Sequence, residues 1–226
     1  MDNRIYELLP QLFTRSEVMI LDFNQIPSDL DEYKNIKHFF EKSQRLKIDP
    51  KLAESRQRFN NEFLVKSGKR YLISRYAEDR SEMLRGSKIA EEGRTIHLGI
   101  DIFSKDLESV YSPCAGEIIL NGNEEGSHSF GYYLILKLDL IVSNSFLFLG
   151  HLSKNLPHLG KVDKGQLIAR LGDYVGEENG GWSRHLHVQL LQDLPESASS
   201  IQGYSSKESL KENLIKYPDP SFLVFK

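Results

Sequence analysis

The spacing of apolar positions changes near residue 86. Before it, Ile5 to Phe13 has helical apolar spacing, and Tyr33, Ile36, Phe39, Phe40 and Leu46 fall on one stripe of a helix. Ser28 to Asp31 opens that helix and Asp49-Pro50 breaks it. The charged segment Lys51 to Leu64 is also expected to be helical, and Arg70 to Tyr76 has the pattern of a strand. After Gly86 the chain turns to short apolar runs: Ile96 to Phe103, Ser109 to Ser112, Gly116 to Leu120, Tyr132 to Leu140, Ser145 to Leu152, Gln166 to Leu171 and His185 to Leu191. Turn residues separate them at Asn121-Gly122-Asn123, Lys164-Gly165 and Asn179-Gly180-Gly181. Ser205 to Ile215 is expected to be a short helix stopped by Pro218 and Pro220.

Many short strands with no long helix between them imply a mainly β protein with an antiparallel sheet or sandwich, preceded by a helical N-terminal extension. The expected organisation is an extension over residues 1–90, a β domain over 91–195 and a tail over 196–226.

Composition narrows the classes. Hydrophobic residues at 39% and charged residues at 27% describe a globular chain. A net charge of −3 gives no reason to expect a nucleic-acid or membrane-surface partner. The four-residue apolar run Val18 to Leu21 is shorter than the roughly 7–15 residues of a secretory core or the roughly 20 of a membrane span. A cytoplasmic location is therefore expected. The lone Cys114 excludes an internal disulfide and is expected to be a small buried residue.

The candidate chemistry lies in two stretches. His97 and Asp101 stand four apart with Gly99 midway. On a straight strand such positions share a face but lie about 13 Å apart, so joint ligation needs a bend, which Gly99 permits. Gly99 also leaves space on that face for an ion and its water. A helix would serve the same spacing, but Thr95, Ile96, Ile100 and Ile102 favour a strand. His185 and His187 flank Leu186 and so face one side of a strand. One ligand and one proton-transfer partner is the natural division of that pair. Two histidines and a carboxylate with an open fourth position match catalytic zinc, and His151 is a further candidate. His38, His128 and His158 are expected to be ordinary surface residues.

The order of motifs carries a resemblance. His97 and Asp101 are followed by Val110 to Glu117, then Leu149-Gly150-His151-Leu152-Ser153, then Val162 to Ile168, then His185 to Leu190. Together they resemble the LytM and lysostaphin family of zinc metallopeptidases over roughly residues 94 to 192. The resemblance implies an antiparallel β core with a groove, and hydrolysis of a peptide bond in peptidoglycan or glycine-containing peptides. By motif position it implies one Zn2+ held by His97, Asp101 and His187, with His151 and His185 as catalytic histidines that activate water and stabilise the oxyanion.

Two segments depart from the family pattern. Gly131-Tyr132-Tyr133-Leu134 stands where a Gly-Tyr-Gly-Asn sequence is common, and Glu178 to Arg184 replaces the usual Thr-Gly-Pro approach. The latter wording is similar to the metallopeptidase-like domain of bacterial proteins that also carry phosphotransferase and aminotransferase domains. That likeness favours a small intracellular peptide or amide as substrate, selected at the rim by Trp182 and Arg184, with Tyr76 as a further rim candidate. The alternative is a latent or non-catalytic metal-binding module in which Arg70 to Arg80 lies across the groove.

Overall fold

The computed structural model describes residues 18–20, 50–81, 83–84, 87–126, 129–139, 146–175 and 178–224. The helices expected over Ile5 to Phe13 and over 28–47 lie outside the described residues, as do His38 and His128. The strands are β1 (Val18–Ile20), β2 (Tyr71–Ile73), β3 (Ile96–His97), β4 (Ile100–Phe103), β5 (Ser109–Tyr111) and β6 (Gly116–Glu124). They continue as β7 (Gly131–Leu138), β8 (Phe146–Leu152), β9 (Gly160–Val162), β10 (Leu167–Arg170), β11 (His185–Leu191) and β12 (Tyr204–Ser205). Helices α1 (Pro50–Ser67), α2 (Lys88–Glu91), α3 (Leu210–Lys216) and α4 (Ser221–Val224) complete the order.

The central sheet has the order β1-β2-β4-β11-β8-β7-β6-β9. Its pairings are antiparallel except β1 with β2. The fold is thus the mainly β, antiparallel architecture expected from the apolar pattern. Pairing crosses both expected boundaries, since β2 bonds to β4 and β12 bonds to β3.

Alternation along the strands assigns the two faces. Ile100 and Ile102 on β4, Leu134 and Leu136 on β7, Leu147 and Leu149 on β8, and Leu186, Val188 and Leu190 on β11 enter one large apolar core. The intervening residues turn to the other face, where Tyr133, Ile135 and Phe148 join a smaller cluster with Leu191, Ala198 and Ile201. Asp101, His185, His187 and Gln189 alternate with the large-core residues and share this second face.

Two expectations are corrected. Ile96 to Phe103 is not one strand: it breaks at Leu98-Gly99, and β3, whose pairing with β12 runs on through the Leu98 N–H to Gly203 O, separates from β4. Asn121-Gly122-Asn123 is not a turn but continues β6 opposite Tyr133, because a Cβ at Gly122 would lie 2.9 Å from the Tyr133 hydroxyl. Glycine here admits a covering aromatic rather than a chain reversal. Arg70 to Arg80 enters the sheet at its start. Its strand β2 extends the sheet beside β4, where Tyr71 and Ile73 have the apolar surface to enter the large core.

The short β9 and β12 were not anticipated; three and two residues are too few to show a period. Cys114 is buried and His158 is exposed, as expected.

Candidate metal centre and catalytic histidines

Register brings the first two groups together. His187 on β11 is the antiparallel partner of Asp101 on β4 and of Gly150 on β8. Directly opposed side chains start only about 5 Å apart at Cβ. His97 joins them through the break at Leu98-Gly99, which folds what would be a 13 Å separation into a His97 Nε2 to Asp101 Oδ1 distance of 3.5 Å. The bend expected at Gly99 is present, but the space there is taken by protein. A Cβ on Gly99 would sit 2.5 Å from His187 Cε1 and 2.8 Å from Val188 O, so the imidazole packs where an ion was expected.

The three inward atoms form a compact triangle. His187 Nδ1 lies 2.9 Å from Asp101 Oδ1 and 3.2 Å from His97 Nε2, and the third edge is the 3.5 Å just given. Tetrahedral zinc with bonds of about 2.0–2.1 Å has ligand-to-ligand edges of about 3.3 Å. His97, Asp101 and His187 are 2–3% exposed.

Hydrogen bonds set the proton positions. Gln189 Nε2 donates to Gln202 O at 3.0 Å, which turns Gln189 Oε1 toward His187 Nε2 at 2.8 Å. His187 therefore donates from Nε2 and presents a lone pair at Nδ1. That lone pair faces a carboxylate oxygen and a second imidazole nitrogen. A proton can satisfy one such pair, whereas a metal cation satisfies all three donors at once.

Asp101 is held well below the usual carboxylate range. Burial opposes its charge, but its polar neighbours, among them the Arg80 guanidinium on Oδ2, outweigh it. Burial, reinforced by Arg80, also pushes His97 well below its ordinary value, which favours the neutral ring that a metal requires.

The other two histidines form a second pair beside this triangle. His185 stacks on Phe103, its register partner, at 4.9 Å between centroids, and it lies 4.2 Å from the His151 ring. Both donate from Nδ1 to main-chain carbonyls: His185 to Ser183 O at 2.7 Å and His151 to Asn179 O at 2.9 Å. Each is left with an acceptor at Nε2, and that of His185 is 3.8 Å from Asp101 Oδ1. Burial lowers both pKa values, so both rings are neutral near pH 7.

His151 reaches this position through a backbone irregularity. Between Tyr132↔Leu152 and Leu134↔Leu149, β8 carries one residue more than β7, and His151 takes φ +61°. Such bulges re-aim side chains beside functional sites, and a non-glycine residue in this conformation costs roughly 1–3 kcal/mol.

The expected rim residues separate. Trp182 lies 6.3 Å between centroids from both His151 and His185, with its backbone bracketed by the Asn179 amide. Arg184 does not present a free guanidinium: Nε and Nη2 bond to Asp173 and Nη1 to Lys105 O, and its Cζ sits over the Tyr174 ring. Tyr76 packs against the large core and donates its hydroxyl to Tyr217 O.

Residues 95–198 match peptidase family M23. This segment is an M23-family domain. Among solved structures, the chain is similar to the catalytic domain of lysostaphin from Staphylococcus simulans at 22% identity and TM-score 0.37, covering 52% of this chain and 80% of that one. It is similar to a zinc-containing peptidase from Vibrio cholerae at 26% identity and TM-score 0.34, covering 48% of this chain and 31% of that one. It is also similar to LytU at 21% identity and TM-score 0.36, covering 56% and 77%. A comparison with curated proteins finds no match.

Several residues around the M23 site were not singled out from the sequence. Gln189 was legible in principle, two positions beyond His187 on the same face. Arg80, Ser74, Gln57 and Phe130 carry no such signal, because they reach the site from distant parts of the chain. Gln57 on α1 accepts from the Arg184 N–H and donates to Ser104 O, while Asn60 donates to Ser183 Oγ at 3.4 Å. The helix preceding the M23 segment thus braces the loop that orients His185. Phe130 covers His187 at 5.1 Å between centroids.

Proposed function

We propose that the M23 domain is a zinc-dependent peptidase or amidase, with His97, Asp101 and His187 as ligands and His151 and His185 as the proton-transfer pair. The observation that carries this is the convergence of three lone-pair donors within 3.5 Å of one another, with Gln189 fixing the His187 tautomer. Zinc at that point supplies Lewis acidity, polarising a carbonyl and bringing the pKa of a water toward 7. The protein's own groups do the rest. His151 and His185 have Nδ1–H locked on main-chain carbonyls, so each has a basic Nε2 available to accept a proton and, once protonated, to return it to the leaving amine or to an oxyanion.

The substrate class is a peptide bond in a peptidoglycan-like or glycine-containing peptide, or a small amide. Trp182, beside both histidines, is the rim residue positioned to touch it. Among the described residues no helix is long and apolar enough to cross a membrane.

The test is metal analysis of the purified chain followed by a screen of the zinc-loaded protein on oligoglycines, peptidoglycan fragments and amino-acid amides. One zinc per chain, thermal stabilisation by zinc and chelator-sensitive hydrolysis are expected. A chain that takes up no zinc would overturn the metal assignment, and a zinc-loaded chain inert on all three classes would favour a non-catalytic module.

A further inference from the structure

Arg80 precedes the M23 segment yet is built into its centre. The residue is 3% exposed. Its Nη1 donates to Asp101 Oδ2 at 2.7 Å, its Nε donates to Glu78 Oε1 at 2.7 Å, and Nη1 also reaches the Tyr204 hydroxyl at 3.3 Å. The same short segment fixes the main chain around it. The Asp101 N–H donates to Ser74 Oγ at 2.8 Å, the Ser74 N–H donates to Asp101 O at 3.0 Å, and the His97 N–H donates to Glu78 O at 2.9 Å.

Two physical points make this arrangement informative. A carboxylate can ligate a cation through one oxygen or both, and a guanidinium on Oδ2 leaves only Oδ1 to face the donor triangle. A fixed positive charge beside a cation site also weakens cation binding by simple repulsion. Burying Arg80 here therefore works against affinity unless it gains something in geometry.

We propose that Arg80 is a positioning residue of the metal centre. It restricts Asp101 to one-oxygen coordination, so that three protein donors leave a coordination position open to water and substrate. The proposal rests on the zinc reading above. It makes residues 74–80 a working part of the M23 site rather than a separate extension.

Affinity reads the charge of Arg80 and the cobalt spectrum reads the coordination it imposes, which makes the test direct. Zinc affinity of the purified full chain is measured by competition with a chromophoric chelator for wild type, Arg80→Met and Arg80→Lys, and each is also loaded with cobalt(II) for its visible spectrum. Arg80→Met loses a repelling charge and frees Oδ2 as a further donor, so it is expected to bind zinc at least as tightly as wild type. Its cobalt form should absorb more weakly as Oδ2 joins the coordination sphere. Arg80→Lys, which keeps a donor to Oδ2, should lie closer to wild type in both. An unchanged cobalt spectrum in Arg80→Met, or zinc binding weaker than wild type, would overturn the proposal. If Arg80→Met does not fold, the Glu78→Gln/Arg80→Met double variant removes both buried charges, and the same two readouts decide. Wild type that binds no zinc would overturn the metal reading itself, and the proposal with it; wild-type binding with an unchanged cobalt spectrum in Arg80→Met overturns the proposal alone.

Discussion

The donor triangle and the His151/His185 pair lie side by side but are held by different means. The pair is oriented by main-chain carbonyls: Ser183 O is two residues from His185, and Asn179 O belongs to the loop just ahead of it. The triangle is oriented largely by side chains, with Gln189 behind His187 and Arg80 behind Asp101, while His97 is fixed through its main-chain N–H on Glu78 O. A main-chain carbonyl can fix which nitrogen carries a proton, which is what a base needs. Side-chain partners also aim an atom at a point in space and tune its donor strength, which is what a metal ligand needs. The contrast matches the division of roles proposed above, proton transfer for the pair and coordination for the triangle.

The largest effect should come from exchanging the roles. His187→Ala is expected to abolish stoichiometric zinc and hydrolysis together. His185→Ala or His151→Ala should keep zinc while slowing hydrolysis by about 10²–10⁴-fold. Metal content measured beside turnover distinguishes them, and zinc loss in His185→Ala with retention in His187→Ala would invert the assignment.

A smaller effect tests the side-chain support alone. Gln189→Leu leaves every donor of the triangle in place but removes the acceptor that holds the His187 proton on Nε2. Zinc affinity should fall about 10–100-fold, read by chelator competition. An unchanged affinity would show that the tautomer is set elsewhere.

The smallest effect concerns the pair. Burial holds His151 well below its ordinary value in the folded chain, so between that value and about 6.5 the unfolded chain binds the extra proton. The stability that His151 contributes is therefore present above about pH 6.5 and is lost as pH falls toward its folded pKa. Urea denaturation of the chelator-treated chain at stepped pH should show a stability slope up to about 1.4 kcal/mol per pH unit steeper than His151→Gln. Equal slopes would mean that His151 is not buried neutral.

Much of the β architecture is local in origin and so was legible. The alternation of Leu186, Val188 and Leu190 with His185, His187 and Gln189 needs only the two-residue period of a strand to place the histidines on one face. The helix over Pro50–Ser67 likewise follows from a polar, helix-favouring segment. Asn121-Gly122-Asn123 misled because its glycine answers to Tyr133 on the neighbouring strand, a contact that no local rule contains. A bend at Gly99 was foreseen from the ligand spacing, but the break of the strand was not, and the filling of the space by the His187 ring depends on a residue almost ninety positions away.

By itself the sequence determined the strand faces, the need for a bend between His97 and Asp101, and the motif order that matches the M23 family, because each depends on neighbours along the chain. Only the tertiary structure decided which side chains support those groups. Register set His187 opposite Asp101, a bulge turned His151 inward, and Arg80 came to lie against Asp101 Oδ2. These depend on pairing between distant segments, and a buried arginine twenty-one residues before its partner carries no periodic mark by which to find it.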